Sequence, residues 1–344
     1  MSKLKIYNKS IGSNFKPYII VEACVNHQGN FDLAKRMIYI SKKLGADCIK
    51  FQHHIVDSEM LKKVPSSKNF DIPLWKVIEK TNFTLQEHLK LKRFCEKIGI
   101  HYLCTPFSID SVNQLNSIGV KAFKVGSGEL TNLPMIYHMA KIGKPIILST
   151  GMSLLNEISE TVKIIKKFKT PFALMHCVSA YPCPYKIMNL DLITKLIEKF
   201  KVPVGLSDHT STVFNALGAV SLGASLIEKH FTFNKNWRGP DHKSSINPEE
   251  LKTLILGVQA NFYARGNKKI IHQQEKQIVA WARASVVCIK DLKRGDKLTK
   301  DNIVTKRPSP KKNQIAAKFY NSLINKTIKR NIKKNTVLNF SDLK

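Results

Sequence analysis

The side chains best suited to chemistry in this chain are two histidines, each placed where a short apolar run stops on polar groups. Residues 203–210 run Val-Pro-Val-Gly-Leu into Ser207, Asp208, His209 and Thr210. One strand-helix unit later, Ala224-Ser-Leu-Ile-Glu228 runs into Lys229 and His230. An apolar run of this length reads as a buried parallel strand. Neighbouring strands would then deliver two imidazoles to one cleft, as two ligands of a catalytic metal require. Either histidine alone would do no more than hydrogen-bond at a strand end. What collects beside them separates the two readings.

Polar groups close the other apolar runs as well: Glu22 with Asn26 and His27, Lys50 and Gln52, Thr105, Lys124 with Ser127 and Glu129, Ser149 and Thr150, and His176 with Ser179 and Tyr181. A scaffold would not need such a concentration. Lys50 and Lys124, with hydroxyls at Thr105, Ser127, Ser149 and Ser207, suit a small phosphorylated anion. Lysine supplies charge there, while hydroxyls and turn N–H groups supply fixed donors. The glycines of Gly126-Ser127-Gly128 and Ser149-Thr150-Gly151 let backbone donors approach a phosphate closely. Glu22 and Glu129 are acid-base or sugar-binding candidates, or else ion pairs of the cleft rim with Lys50 or Lys124. The combination points to a metal-assisted enzyme acting on a phosphorylated anion and a carbonyl partner.

The elements that must position these groups alternate regularly. Strands are predicted at 18–22, 47–52, 100–105, 121–125, 145–149, 171–176, 203–206 and 225–229, with amphipathic helices between them and a last helix at 248–264. Eight strand-helix units in about 250 residues match an α/β fold of the (β/α)8 TIM-barrel type. An open doubly wound sheet has the same rhythm, but no Gly-x-Gly-x-x-Gly turn follows the first strand. A hairpin is expected over 3–17, and a loop insertion over 53–83 carrying Pro65, Ser66, Ser67 and Pro73. The expected organisation is a barrel domain over 1–265, a polar linker over 266–282, and a small β-rich domain over 283–344.

The formal charge of +31 raises a nucleic-acid reading. The lysines are spread along the whole chain, however, and no zinc-finger spacing, RNA-recognition signature or recognition-helix pattern occurs. What the charge supports is attraction of small anions. The seven cysteines form no Cys-x-x-Cys pair and read as reduced thiols, small core residues for the most part. The N-terminus lacks a signal-peptide core and no apolar run is long enough to span a membrane, so a cytoplasmic protein with no membrane or nucleic-acid partner is expected.

The segments Glu22-Ala-Cys-Val-Asn26-His27-Gln-Gly29, Lys50-Phe-Gln52, Thr105-Pro-Phe-Ser108, Lys124-Val-Gly-Ser127-Gly-Glu129, Ser149-Thr-Gly-Met152, His176-Cys-Val-Ser179-Ala-Tyr181-Pro, Gly205-Leu-Ser207-Asp-His209-Thr210, Glu228-Lys-His230-Phe and Gly239-Pro-Asp241-His242 resemble, in order, the motifs of the sialic acid synthase family. These are phosphoenolpyruvate-condensing enzymes that make N-acetylneuraminate, legionaminate or pseudaminate. Ala284-Ser-Val-Val, Arg294-Gly-Asp and Lys306-Arg307-Pro308 resemble the family's C-terminal antifreeze-like (SAF) domain.

The resemblance implies roles by position. His209 and His230 would bind a divalent metal, Mn2+ or Mg2+. Lys50, Thr105, Lys124, Ser127, Ser149, Ser179 and Ser207 would hold phosphoenolpyruvate. Gln52, Glu129, Tyr181, Asp241 and Arg307 would hold the amino sugar, with Arg307 reaching across a homodimer that exchanges its C-terminal domains. Glu22 would handle protons, with His209 and His230 the other catalytic residues. C3 of phosphoenolpyruvate would attack the sugar's open-chain aldehyde, water would add at C2, and phosphate would leave by C–O cleavage. Ser179 stands where some relatives have asparagine, and Arg283 where some place an aromatic. N-acetylmannosamine, giving N-acetylneuraminate, is the first expectation, because His54-Ile-Val-Asp-Ser-Glu59-Met60 resembles that subgroup's loop. A 2,4-diacetamido-2,4,6-trideoxymannose, giving legionaminate, is the alternative. The octulosonate and heptulosonate synthases, which use a phosphorylated sugar, are the nearest enzymatic rivals.

Overall fold

The computed structural model describes residues 3–63 and 72–344. Its contacts divide the chain into two compact units, Met1–Arg265 and Gly266–Lys344. The expected breakers Pro65, Ser66 and Ser67 lie outside the described residues.

In the first unit a short hairpin, β1 (Leu4–Ile6) and β2 (Lys9–Ile11), precedes eight parallel strands. They are β3 (Tyr18–Glu22), β4 (Cys48–His53), β5 (His101–Pro106), β6 (Phe123–Val125), β7 (Ile146–Ser149), β8 (Phe172–Cys177), β9 (Val204–Asp208) and β10 (Leu226–His230). The ladder runs β5-β4-β3-β10-β9-β8-β7-β6, with β5 and β6 side by side to make a nearly closed barrel. Helices such as Phe31–Leu44 and Leu85–Ile98 connect the strands, and Pro248–Ala264 follows the last of them. They start on side-chain caps at Asn30, Thr84 and Asn247, and the first two stop on left-handed glycines, Gly45 and Gly99.

Strand alternation decides where the chemistry can be. One face of each strand packs outward on the helices in the main core, for example Val21, Ile49, Leu148 and Ile227. The other face enters the barrel, where Tyr18, Ile20, Cys48, Leu103, Ala122, Ile147, Ala173, Met175 and Leu226 form a second apolar cluster. Leu4, Ile6 and Ile11 of the hairpin plug it. The N-terminal end of the barrel is therefore filled, and polar inward side chains can gather only at the C-terminal end. Gly205 is required inside: a Cβ there would stand 2.4 Å from the Leu226 carbonyl oxygen and 2.8 Å from the Met175 sulfur.

Two stretches differ from their sequence reading. The insertion over 53–83 contains helices Val56–Glu59 and Leu74–Thr81. The stretch 266–282 contains helix Lys276–Ala282, which belongs to the second unit: the Ala280 carbonyl accepts from the Ser309 N–H at 3.0 Å. That unit pairs β11 (Ser285–Cys288) with β12 (Ile303–Lys306) over a small core including Val286, Ile303, Ile315, Ile328 and Leu338. No helix among the described residues is long and apolar enough to cross a membrane.

Candidate active site

The period of two that carries apolar residues into the barrel floor carries polar ones into its mouth. On β10, Leu226 is followed inward by Glu228 and His230; on β4, Cys48 is followed by Lys50 and Gln52; on β9, Gly205 is followed by Ser207. The parallel register sets His230 beside Glu22 and Glu228 beside Ser207.

At the centre is a buried charge cluster. Lys50 Nζ lies 2.7 Å from Glu22 Oε2 and 3.8 Å from Glu228 Oε1, and donates to Thr105 Oγ1 at 3.3 Å. Lys124 Nζ lies 3.6 Å from the same Glu228 oxygen and donates to Ser149 Oγ at 2.6 Å. Ser207 Oγ donates to Glu228 Oε1 at 2.9 Å. Burial pushes Glu22 up to about 7, with Lys50 pulling against it and the Glu228 carboxylate adding to the rise. Burial also works against the charge on Glu228, but Lys124 and Lys50 outweigh it and hold that carboxyl below the usual range. Lys124, desolvated by its burial, sits below the ordinary lysine value despite Glu228. Two cations balanced by carboxylates can be turned toward an entering anion without desolvating anything further.

Hydroxyls surround this cluster. Ser127 Oγ accepts from the Gly151 N–H at 3.1 Å, and Ser179 Oγ is buried without a hydrogen-bond partner. An unpaired buried hydroxyl awaits a ligand or water. A Cβ on Gly151 would stand 2.5 Å from Ser179 Oγ and 2.7 Å from Ser127 Oγ. Gly151→Ala is therefore expected to push both hydroxyls off their positions and weaken binding of a small phosphorylated anion by about 10- to 100-fold, measured calorimetrically.

The histidine pair sits beside the cluster. Their ring centroids are 5.3 Å apart, and the Tyr181 ring packs 4.1 Å from that of His209. His209 Nδ1–H donates to the Val178 carbonyl at 2.8 Å, which leaves Nε2 as its free lone pair. His230 Nδ1 is buried with no hydrogen-bond partner and lies 3.9 Å from Asp241 Oδ2. An orphaned imidazole nitrogen, a second imidazole with a fixed tautomer and a carboxylate make a donor set that fits a divalent cation.

Behind the pair, Lys229 and Asp208 face away from the barrel lumen and bond to each other at 3.1 Å, both buried. Lys229 also donates to the Thr210 carbonyl, and Asp208 accepts from the Thr210 N–H at 2.9 Å.

On the opposite side, Gln52 Nε2 donates to Glu22 at 3.3 Å and its carbonyl oxygen faces His54 Nε2 at 3.2 Å. His54 Nδ1 pairs with Glu59 at 2.8 Å. Glu129 accepts from Asn132 at 2.8 Å, and burial raises its carboxyl above the usual range. The structure thus brings together Glu22, Lys50, Gln52, Thr105, Lys124, Ser127, Glu129, Ser149, Ser179, Tyr181, Ser207, His209, His230 and Asp241 at one barrel mouth. Arg307 belongs to the second unit, where it lies 5.6 Å over the Trp281 ring.

Other placements depart from the strand-end reading. His176 points out of the barrel and bonds the Met188 carbonyl at 2.6 Å. Glu228, given no role from sequence, is inward because His230 is, and period two alone would have found it. Cys177 lies inward, within 3.5 Å of Ser127 Oγ and 3.9 Å from His209 Nδ1, and Cys24 lies beside Asp241 and His230; the general reading of the cysteines as core residues did not anticipate either.

His27 pins the turn after β3. Its Nδ1 accepts from the Gly29 N–H at 3.2 Å, it bonds the Cys24 backbone, and its ring stacks 4.3 Å from that of Phe83. Burial lowers His27 to about 4. A histidine depressed in the folded state adds stability fully above its unfolded value of about 6.5, and this is lost as pH falls toward 4. The denaturant midpoint is expected to fall over that window, His27 alone contributing about 3 kcal/mol, and the fall should shrink in His27→Phe.

Comparisons with known proteins follow the same outline. The NeuB family model matches residues 37–270 and the SAF domain model residues 283–344. The chain is 40% identical to the N,N'-diacetyllegionaminic acid synthase of Campylobacter jejuni, over 94% of this chain and 99% of that one. It is 31% identical to the human N-acetylneuraminate-9-phosphate synthase, over 88% and 86%. The crystal structure of an N-acetylneuraminic acid synthetase from Leptospira borgpetersenii, in complex with citrate, superposes with a TM-score of 0.73 at 33% identity, covering 81% of this chain and 95% of that one. A barrel mouth with buried lysines and a histidine pair, followed by an SAF domain, therefore places this chain in the NeuB family, the phosphoenolpyruvate-dependent synthases of nonulosonic acids.

Proposed function

We propose that this enzyme condenses phosphoenolpyruvate with the open-chain aldehyde of 2,4-diacetamido-2,4,6-trideoxymannose, giving N,N'-diacetyllegionaminate and phosphate. The loop resemblance at His54–Met60 ranked N-acetylmannosamine first. The 40% identity to a legionaminic acid synthase, maintained over nearly the whole of both chains, favours the diacetamido sugar instead. The observation that carries the condensation itself is the adjacency of the Lys50–Glu228–Lys124 cluster to the His209–His230 pair, an anion site beside an electrophile site.

Lys50 and Lys124 grip the phosphate and carboxylate of phosphoenolpyruvate, with Thr105, Ser127, Ser149, Ser179 and Ser207 as fixed donors. Gln52, Glu129 and Tyr181 hold the sugar, Asp241 turns to it the carboxylate oxygen that does not face His230, and Arg307 completes its site from the partner in a domain-exchanged homodimer. His209 and His230 hold a divalent cation, which supplies Lewis acidity to the aldehyde when bound. C3 forms the new bond to the aldehyde carbon, water adds at C2, and the C2–O bond breaks as phosphate leaves. Glu22, raised to about 7 and within reach of Lys50 and Gln52, is the group that takes the water's proton. Reduced thiols and a phosphoenolpyruvate substrate suit a cytoplasmic setting.

A panel of aldoses with phosphoenolpyruvate and manganese, read by phosphate release and product mass, tests the reading. The diacetamido sugar should give the highest kcat/KM, with N-acetylmannosamine next. Turnover only with a phosphorylated pentose or tetrose would replace it with an octulosonate or heptulosonate synthase.

A further inference from the structure

Among the described residues one group of metal-binding side chains has every donor atom within 4.8 Å of the others: the sulfur of Cys24, a ring nitrogen of His230 and a carboxylate oxygen of Asp241, all buried. Atoms bound to one ion at roughly 2.0–2.3 Å in a tetrahedral site stand about 3.3 to 3.8 Å apart. His230 Nδ1 and Asp241 Oδ2 are 3.9 Å apart, and the trio as a whole reaches that spacing with shifts of about 1 Å. The His230 Nδ1 that faces it has no other hydrogen-bond partner.

Three separate pieces of chain supply these donors, and each is braced to the others. Cys24 lies on the turn after β3 with φ 43°, a left-handed conformation uncommon for a residue with a side chain. His27 holds that turn as described above. Asn26 Nδ2 ties it to the exit of β10 through the Phe231 carbonyl at 2.9 Å, and to the following loop through Ser245 Oγ at 2.8 Å. Ser244 and Ser245 hydroxyls in turn hold the Asp241 carbonyl at 3.0 and 2.6 Å. A thiol present only to fill a gap would need no such frame.

We infer that Cys24 and Asp241 are ligands of the same divalent cation as the histidine pair, so that the centre is a thiolate, carboxylate and imidazole site. This deepens the proposed function and rests on its placing of the cation at His209 and His230. Binding converts the Cys24 thiol to a thiolate and releases its proton to solvent. A soft thiolate ligand strengthens the preference for Co2+, Zn2+ and Fe2+ over Mg2+ beyond what the imidazoles alone supply.

The test uses the metal-stripped full-length protein titrated with Co2+ and read by absorption. Wild type should develop a thiolate-to-cobalt charge-transfer band that saturates at one equivalent. Cys24→Ser and Cys24→Ala should bind cobalt at least about 10-fold more weakly and lack the band, while Cys177→Ser, altering the other nearby thiol, should keep it. Should the Cys24 variants fail to fold, the rate at which a thiol reagent modifies Cys24 in wild type provides the readout, with cobalt expected to suppress it. An unchanged spectrum in Cys24→Ser, a band that disappears in Cys177→Ser instead, or cobalt that leaves Cys24 unprotected would overturn the inference. Because no sugar is involved, a failed substrate panel with an intact Cys24-dependent band would sink the proposed function and spare this site. Condensation with no such band would do the reverse.

Discussion

His209→Ala is expected to lower kcat/KM by at least about 10³-fold, equivalent to about 4 kcal/mol of transition-state stabilisation. The ring is fixed by its Nδ1 bond to Val178 and by packing against Tyr181, so its one free lone pair is already aimed. Alanine removes that donor. A site that keeps the other donors but loses one imidazole should bind its cation more weakly and hold the aldehyde less accurately. Metal content after dialysis and phosphate release at saturating manganese separate the two contributions. Full turnover of the wild-type protein after exhaustive chelation would refute the role.

The second large effect is expected at Lys124. Lys124→Met keeps the volume of the side chain but removes the charge that Ser149 and Glu228 orient. In its proposed role Lys124 meets the charge of phosphoenolpyruvate in a buried site, so the loss should appear mainly as a higher KM for it, with kcat/KM down about 10²- to 10³-fold, or about 3 to 4 kcal/mol. Breaking a buried ion pair also costs stability because the partner is left behind. Here Glu228 retains Ser207 at 2.9 Å and Lys50 at 3.8 Å, so the fold should survive. Adding Glu228→Gln to Lys124→Met removes the leftover charge. The double variant should regain stability toward denaturant while its phosphoenolpyruvate affinity stays poor. Equal recovery of both would show that Lys124 acts on the fold and not on the anion.

The barrel was legible because its strands are buried on both faces and end abruptly on polar residues, a pattern that survives without knowing any contact. The groups that meet at the barrel mouth, the candidate site, were legible at the same strand ends, since His209, His230, Lys50 and Lys124 announce themselves by type. Glu228 was hidden by its neighbours: in Glu-Lys-His the charges look like one solvated cluster, whereas alternation sends Glu228 and His230 inward and Lys229 outward to Asp208. His176 closes the β8 run by type, but the last residue of that strand, Cys177, is the inward one, so the histidine faces out. Cys24 was out of reach of any periodic rule. It sits on a turn whose conformation depends on His27 and Asn26 bonding to distant backbone, and nothing local in the sequence encodes that. Helix Lys276–Ala282 was missed because seven residues with Ile278 and Trp281 exposed show no buried stripe.

This barrel mouth is expected to join a three-carbon enolpyruvate unit to a sugar aldehyde and to release phosphate with its bridging oxygen. Phosphoenolpyruvate labelled with heavy oxygen at the C2–O–P bridge, supplied with the diacetamido sugar and manganese, tests it most directly by mass spectrometry of both products. The label should be found in inorganic phosphate, with a solvent oxygen at C2 of a nonulosonate. Label retained in the sugar acid, or phosphate appearing with no new nonulosonate, would contradict it.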